Sequence, residues 1–121
     1  MATPVKTARV LQVLYVNPAG SSVVQSPALD LTTEFGGTAT LVISNSGTGP
    51  TIGCDAVLET SRDNVNFFEY TRQTAATTAS TQWVFNTPVD ASIMYLRSRF
   101  VGNTAQPVVV EGYFQEFGSI S

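Results

Sequence analysis

The stretch Ser92-Ile-Met-Tyr-Leu-Arg-Ser-Arg-Phe-Val101 alternates between two kinds of side chain along its length. One set of alternate positions contains Leu96 and Phe100, and the other contains Arg97 and Arg99. Because successive side chains of a β-strand point to opposite faces, this period of two is typical of a half-buried strand. The stretch therefore predicts a strand with one face in a core and two arginines on the other face.

The rest of the chain continues this pattern on both sides of that strand. Seven further segments, bounded by turn-forming residues, are rich in β-formers and lack helical periodicity. These predicted strands span residues 8–16, 28–31, 38–45, 53–61, 67–72, 82–86 and 107–117. About eight strands spaced by roughly 8–12 residues are typical of an antiparallel β-sandwich. The sequence predicts an all-β fold and leaves a jelly roll and an immunoglobulin-like sandwich open, because strand count does not reveal strand order.

Chain length sets the domain organisation. The 121 residues suffice for one domain, whereas two domains would each be too small for a good core. We interpret residues 26–121 as the β-sandwich domain and residues 1–25 as an N-terminal strand or an arm. The apolar segment 10–16 is interrupted by Gln12 and does not fit a signal peptide, so synthesis in a cytoplasm is expected. No run reaches the length of a membrane helix, so no membrane partner is expected.

The composition argues against several classes of function. Charged residues make up 12% of the chain, the net charge is −3, and Lys6 is the single lysine. Nucleic-acid binding needs clustered Lys and Arg, so no nucleic-acid partner is expected. The chain has no histidine, which removes the commonest general base and metal ligand. We therefore predict a protein that is not an enzyme, with no catalytic residue, metal or cofactor.

A cysteine and three carboxylates were the remaining candidates for catalysis. Cys54 lies on the predicted inward face of its strand, and without a histidine base it is interpreted as a buried apolar side chain. Asp55, Glu59 and Glu69 fall on neighbouring predicted strands, where two carboxylates at the right separation could hydrolyse a glycoside. Like charges on a strand face usually point to water, so the structural interpretation is favoured for all three.

A short acidic and amide-rich segment predicts a turn. Asp63, Asn64 and Asn66 resemble part of a calcium-binding loop. The glycine and the closing glutamate of such a loop are missing at the required spacing. Because Asp and Asn tolerate left-handed backbone, we predict a hairpin turn here.

Arginines and aromatic residues indicate a surface for a partner. The arginines of the 92–101 strand could pair with a glutamate across the sheet or meet an acidic partner, since arginine is enriched in interfaces. Adjacent Phe67 and Phe68 must point to opposite faces of a strand, so at least one ring should lie outside the core. The predicted partner-contact residues are Arg97, Arg99, Phe68, Tyr70 and Trp83.

Two longer stretches resemble known proteins. They are Ile43-Ser-Asn-Ser-Gly-Thr-Gly-Pro-Thr-Ile-Gly-Cys54 and Val57-Leu-Glu-Thr-Ser-Arg-Asp-Asn-Val-Asn-Phe-Phe68, together with Tyr95-Leu-Arg97 and Gly102-Asn-Thr104. Over roughly residues 28–117 the chain resembles small β-rich virion structural proteins of tailed bacteriophages. The resemblance implies a head decoration, or cement, protein on the capsid surface of a virion, made in the host cytoplasm. It implies two partners, the major capsid protein and further copies of the chain itself, with a trimer favoured, and an arm at residues 1–25.

A second likeness concerns architecture alone. Ser61-Arg-Asp-Asn-Val-Asn-Phe67, followed by Tyr95-Leu-Arg97, is similar to a hairpin and a core strand of discoidin-type jelly rolls. Asn64 replaces the glycine of that motif, and Phe67 stands where tryptophan is usual. In that family these positions shape the fold and do not carry sugar recognition, so the likeness implies a sandwich and no particular ligand.

The low charge fits a structural protein independently of these likenesses. Large permanent interfaces are poor in charge, and lysine, a frequent guard of exposed edge strands, is nearly missing. We therefore expect neighbours or the N-terminal segment to cover some strand edges. Two alternatives remain open: a tail or neck structural subunit, and a virion-borne glycan-binding module that uses Tyr70, Trp83 and Asn86.

Overall fold

A computed structural model describes residues 6–18, 23–32 and 36–117, and the regular elements in these ranges are β-strands. In chain order they are β1 (Lys6–Asn17), β2 (Val23–Gln25), β3 (Leu29–Asp30), β4 (Gly37–Asn45), β5 (Asp55–Ser61), β6 (Phe68–Thr74), β7 (Gln82–Val89), β8 (Tyr95–Val101) and β9 (Val108–Phe117). These ranges contain no helix that is long and apolar enough to cross a membrane. The all-β prediction is confirmed.

The strands form two antiparallel sheets whose order defines a jelly roll. Sheet A has the order β1-β9-β4-β7, and sheet B has the order β2-β8-β5-β6, with β3 also paired to β8. Because β2 and β3 pair with opposite halves of β8, they act as one interrupted edge strand. Among the described strands, β2 and β3 follow each other within sheet B, and so do β5 and β6. Every other pair of consecutive strands lies in opposite sheets. The first strand thus lies beside the last, as in a jelly roll and not as in an immunoglobulin-like sandwich.

Alternation along the strands supplies the core between the two sheets. In β8, Leu96 and Phe100 are fully buried, whereas Arg97 and Arg99 lie on the opposite face. The period of two read from this stretch is therefore confirmed by burial. The large apolar side chains that fill the core are Leu31, Leu41, Ile43, Leu58, Leu96, Phe100, Val108, Val110 and Phe114.

Several strand bounds differ from the prediction by up to three residues, and β8 begins at Tyr95 and not at Ser92. The predicted strand 82–86 continues through Pro88, which pairs with Thr38, and ends at Val89. β7 is an edge strand of sheet A, where the missing N–H of a proline is tolerated. β2 was not predicted because three residues are too few to show a period.

The N-terminal segment lies in the two sheets of its own chain. β1 pairs with β9, and β2 pairs with β8. Residues 1–5 and 19–22 of the predicted segment 1–25 lie outside the described residues, as do 33–35 and 118–121 of the predicted domain 26–121. A contact between the segment and a neighbouring subunit stays a prediction.

A pair of buried amides fixes the end of β1. Asn17 and Asn103 are both fully buried. Asn17 Nδ2 donates to Asn103 Oδ1 at 2.9 Å and to the Phe100 carbonyl at 3.2 Å. Asn103 Nδ2 donates in return to the Asn17 carbonyl at 3.2 Å and to the Gln106 carbonyl at 3.0 Å. The pair therefore ties the last residue of β1 to the loop between β8 and β9.

We expect Asn17→Ala and Asn103→Ala each to lower the free energy of unfolding by about 2–3 kcal/mol, because each leaves buried polar groups unpaired. The double variant should lose less than the sum, since the two residues share hydrogen bonds. Urea denaturation measures both effects. Asn86→Ala, which removes one exposed bond to Thr40, is the control and should cost below about 0.5 kcal/mol. Additive losses would contradict a coupled pair.

Candidate interaction surface

The cysteine is buried in the core. Cys54 is fully buried just before β5, and Asn17 Nδ2 lies 3.9 Å from its sulfur. Burial raises the pKa of the Cys54 thiol from its ordinary value of 9.0 to about 11. The thiol is therefore protonated at neutral pH and out of reach of a substrate. The interpretation of Cys54 as a buried small side chain is confirmed.

The three candidate carboxylates lie on the outer face of sheet B, beside arginines. Asp55 and Glu69 both pair with Arg72, the second at 2.9 Å. Glu59 accepts a hydrogen bond from Arg97 Nε at 2.8 Å, and Arg99 Nε lies 3.8 Å from its other oxygen, an ion-pair distance. We call this set the outer charge network: Asp55, Glu59, Glu69, Arg72, Arg97 and Arg99. Each carboxylate has a nearby cation, so the network is a set of ion pairs across the strands.

The outer charge network also covers an apolar residue. Val57 points to this outer face between the network strands, yet it is fully buried. The guanidinium of Arg97 stacks over the ring of Phe67, 3.8 Å from its centroid. Arginine stems can cover apolar surface in this way while their charged ends pair in solvent. Arg97 and Arg99, predicted as partner contacts, thus already have an intramolecular partner in Glu59, and their contact with another protein stays a prediction.

The three aromatic residues predicted as contacts lie at the β6–β7 side of the sandwich. The Phe68 side chain is 70% exposed, in agreement with the expectation that one of the adjacent phenylalanines lies outside the core. Tyr70 Oη donates to the Pro88 carbonyl at 3.3 Å, which links the edge strands of the two sheets. Trp83 is half-buried and packs against the core. Arg97 and Arg99 lie on β8, whereas these three residues lie on the edge strands β6 and β7, and their contact with a partner stays a prediction.

The Asp63 segment forms the turn of the β5–β6 hairpin. Asp63 accepts hydrogen bonds from the backbone N–H groups of Val65 and Asn66, both at 2.9 Å, and from the Asn66 side chain. These bonds hold the pKa of the Asp63 carboxyl well below its usual range. Asn64 has a φ of 61°, the left-handed conformation that asparagine tolerates. The hairpin-turn prediction is confirmed.

A run of exposed apolar side chains lies on β1, which the sequence analysis did not single out. Val13, Leu14, Tyr15 and Val16 are four consecutive residues, and each is at least 50% exposed. Val10 and Val23 are exposed beside them by 53% and 49%. We call these six residues the apolar edge. Large exposed apolar patches on a folded domain commonly mark a site of protein contact.

The topology explains why the apolar edge is exposed. Among the described strands, β1 pairs with β9 alone, so its other side is the open edge of sheet A. Register shifts between Val10 and Gln12 and between Gln12 and Tyr15 bulge the strand. Consecutive apolar residues in an edge strand must also occupy both faces, and one of those faces is not covered. The apolar edge is therefore a consequence of the position of β1 in the sheet.

The apolar edge borders two shallow grooves. The first, about 540 Å³, runs between β1 and β2 and is lined by Val13, Tyr15 and Val23 among others. The second, about 480 Å³, is lined by Leu14, Tyr15 and Val109 among others. Because Tyr15 lines both grooves, the six residues form one continuous surface that wraps around the edge.

One sequence signal could have revealed this surface. Residues 10–29 contain no Asp, Glu, Lys or Arg, an uncharged run of twenty residues in a chain with fifteen charges. Residues 10–17 of β1 and the whole of β2 lie in this run, and the two strands are the neighbouring edges of the two sheets. Edge strands are usually protected by charged residues, so this uncharged edge is a candidate for contact with another surface.

Comparison with known proteins shows the fold and no family. No protein-family model matches the chain, and no characterised protein matches its sequence. A chain in the structure of infectious bursal disease virus, Gx strain, superposes with a TM-score of 0.60 at 13% identity, over 94% of this chain and 32% of that one. The present chain therefore spans about a third of that relative's length.

Two further structures share the architecture over most of their length. The SPBc2 prophage-derived protein YomS has a TM-score of 0.51 at 15% identity, over 95% of this chain and 96% of YomS. The K3 cleaved adhesin domain of Lys-gingipain from Porphyromonas gingivalis W83 has a TM-score of 0.52 at 13% identity, over 93% of this chain and 73% of that domain. At these identities the likeness establishes a β-sandwich shared with viral, prophage and bacterial proteins.

We expect Glu59→Ala to lower the free energy of unfolding by about 1–3 kcal/mol, because Arg97 and Arg99 would keep their charges beside Val57 without a carboxylate. Glu69→Ala is the matched control: Glu69 is exposed, and Arg72 keeps Asp55 as its partner. The control should cost below about 0.5 kcal/mol. Urea denaturation at one ionic strength measures both variants, and equal losses would contradict the role given to Glu59.

The raised pKa of Cys54 predicts a pH dependence of stability. Above about pH 9 the unfolded chain loses the thiol proton, whereas the folded chain keeps it up to about pH 11. The free energy of unfolding should therefore fall as the pH rises through this window, by up to roughly 3 kcal/mol. Cys54→Ala removes this contribution, so the difference between wild type and variant isolates it from other titrating groups. A constant difference between pH 8 and 11 would contradict a buried, protonated thiol.

Proposed function

We propose that the protein is a non-enzymatic structural protein of a virion, and specifically a decoration protein that binds the major capsid protein on the outside of the head shell. The observation that carries this proposal is the apolar edge, a continuous and uncharged surface on a rigid sandwich. Such a surface provides binding area and no catalytic group. Protein–protein contact is therefore the function that the geometry supports best.

The chemistry of the apolar edge supports burial against protein. The centres of protein interfaces are depleted in charge and enriched in aromatic and large apolar residues. Leu14 and Tyr15 stand at the middle of the apolar edge, and the nearest charged residues along the chain are Arg9 and Asp30. The outer charge network on sheet B has the opposite character, since its charges pair within the chain. The apolar edge is thus the better candidate for a stable contact.

The placement in a virion is supported by fold and by sequence resemblance. The jelly-roll order is shared by many viral capsid domains, and the fold is similar to a chain of infectious bursal disease virus and to a prophage-derived protein. The stretches around Ile43–Cys54 and Val57–Phe68 resemble phage virion proteins. These likenesses favour a virion protein.

The mechanism proposed for decoration is mass action on the shell. A subunit that binds the assembled shell, and not the separated capsid subunits, stabilises the assembled state by its binding free energy. The stabilisation grows with the concentration of the decoration protein relative to its dissociation constant. Opening of the shell then requires loss of these contacts, so the temperature of disruption rises.

We expect the purified protein to co-sediment with undecorated heads of the phage that encodes it, at a fixed number per capsid subunit, and to raise the temperature of head disruption. Expanded heads should bind more protein than unexpanded heads. Gel quantification of the pellet and a fluorescence melt of the heads measure the two effects. Val13→Asp tests the apolar edge. Val84→Asp is the matched control, because both valines are exposed on edge strands of sheet A, at opposite sides of the sheet.

Weaker binding by Val13→Asp, with unchanged binding by Val84→Asp, would support the proposal. Saturable binding without any rise in disruption temperature would contradict the clamp mechanism. No binding to either form of the head would contradict the decoration role, and the location of the protein within the intact virion would then test the tail or neck alternative.

A further inference from the structure

We propose that the apolar edge is the surface through which two copies of this chain associate, with β1 of one copy antiparallel to β1 of the other across a two-fold axis. The inference rests on the proposed function and deepens it: copies paired through this surface would bind the shell as a dimer, so Val13→Asp would weaken head binding through loss of the dimer. Three properties of the described strands support it, namely exposed area, charge and an open backbone edge.

The exposed area is of the size that a stable contact between copies needs. Taking roughly 200 Å² for a fully exposed large apolar residue, the six residues present on the order of 600 Å² to solvent. Tyr113 of β9, 42% exposed and paired with Val10, extends the patch. A standard protein–protein interface buries about 800 Å² on each partner. The apolar edge therefore supplies most of one such interface.

The charge pattern favours a second copy over an unrelated protein. Around a two-fold axis, each residue near the axis meets its own counterpart, so any charge there would face an equal charge. Residues 10–29 contain no charged residue, which satisfies this condition for residues 10–17 of β1 and for β2, whereas Lys6 and Arg9 lie at the far end of β1. A surface that binds a protein of different sequence is under no such constraint, and it commonly uses charge pairs for specificity.

The open side of β1 allows the backbone to take part. Residues 15–17 continue in regular register with β9, while no other described strand pairs with β1. Antiparallel pairing of residues 14–16 with the same residues of a second copy would place Tyr15 near the axis. It would also join the two A sheets into one sheet of eight strands, within the usual size of sheets. The register shift between Gln12 and Tyr15 and the burial of Asn17 limit pairing to this segment.

The proposed arrangement differs from the trimer that the sequence resemblance implies. A two-fold contact uses the same patch on both copies and closes at two, whereas a trimer needs two different patches on each chain. No second uncharged patch of this extent lies on the described outer face of sheet B, which carries the outer charge network. The oligomeric number therefore discriminates between the two arrangements.

Sedimentation velocity over a range of protein concentrations is the first test. We expect a species of twice the 12.9 kDa chain mass, with a dissociation constant in the micromolar range or below. Val13→Asp should raise the dissociation constant by at least about 30-fold, because it places a carboxylate in the apolar contact on each copy. Val84→Asp should change it by less than about threefold.

Cysteine cross-linking tests the geometry. In a Cys54→Ala background, Leu14→Cys, Tyr15→Cys and Val16→Cys are oxidised with glutathione disulfide, with Val84→Cys as the control. Directly opposed residues of an antiparallel pair lie within the Cα separation of a disulfide. We expect covalent dimers at one or more of the three positions, at least about tenfold faster than at position 84.

The outcomes separate this inference from the proposed function. A monomer at every concentration, combined with loss of head binding in Val13→Asp, would overturn the inference and leave the decoration role standing. A trimer sensitive to Val13→Asp would overturn the two-fold arrangement, as would a dimer that Val13→Asp does not weaken. A cross-linked dimer that binds no heads would support the inference and contradict the decoration role.

Discussion

The buried pair of Asn17 and Asn103 is the contact on which the arrangement of this sandwich depends most. It joins the end of β1, the loop between β8 and β9 and, through the Cys54 sulfur, the entrance to β5. Amides buried without partners are costly, so the two side chains and the backbone carbonyls they contact must stay together. The pair thereby locks β1 onto the rest of the fold at one defined position.

That lock has a consequence for the surface. Leu14, Tyr15 and Val16 directly precede Asn17. Their exposed side chains therefore lie next to the point at which the buried amide pair fixes the end of β1. A rigid apolar surface loses little conformational entropy on binding, which makes it suited to a stable interface. The outer face of sheet B behaves differently, because Glu59 pairs with arginines of its own chain and the buried Val57 lies opposite Arg72 and Arg99. The charges on the outer face of sheet B are therefore paired within the chain, whereas the edge of sheet A at β1 carries exposed apolar side chains.

The sequence analysis located the strands better than the surfaces. The alternation in β4, β5 and β8 predicted the buried faces, because a core on one side of a sheet imposes a period of two. The partner of Arg97 could not be predicted, because Glu59 comes opposite it only through the pairing of β5 with β8, which are far apart in sequence. The exposure of Leu14 and Tyr15 was missed for a related reason, since an apolar run predicts burial unless the strand lies at an edge.

By itself the sequence determined the all-β class, the hairpin at Asp63, the inward position of Cys54 and the lack of histidine chemistry. These properties depend on local alternation, turn preferences and composition, which act over a few residues. Only the tertiary structure decided the jelly-roll order, the pairing of Asn17 with Asn103 and the position of β1 at an open edge. Each of these depends on which distant strands become neighbours. Packing of the whole core between the two sheets decides which strands become neighbours, and the residue pattern of a single segment does not reveal it.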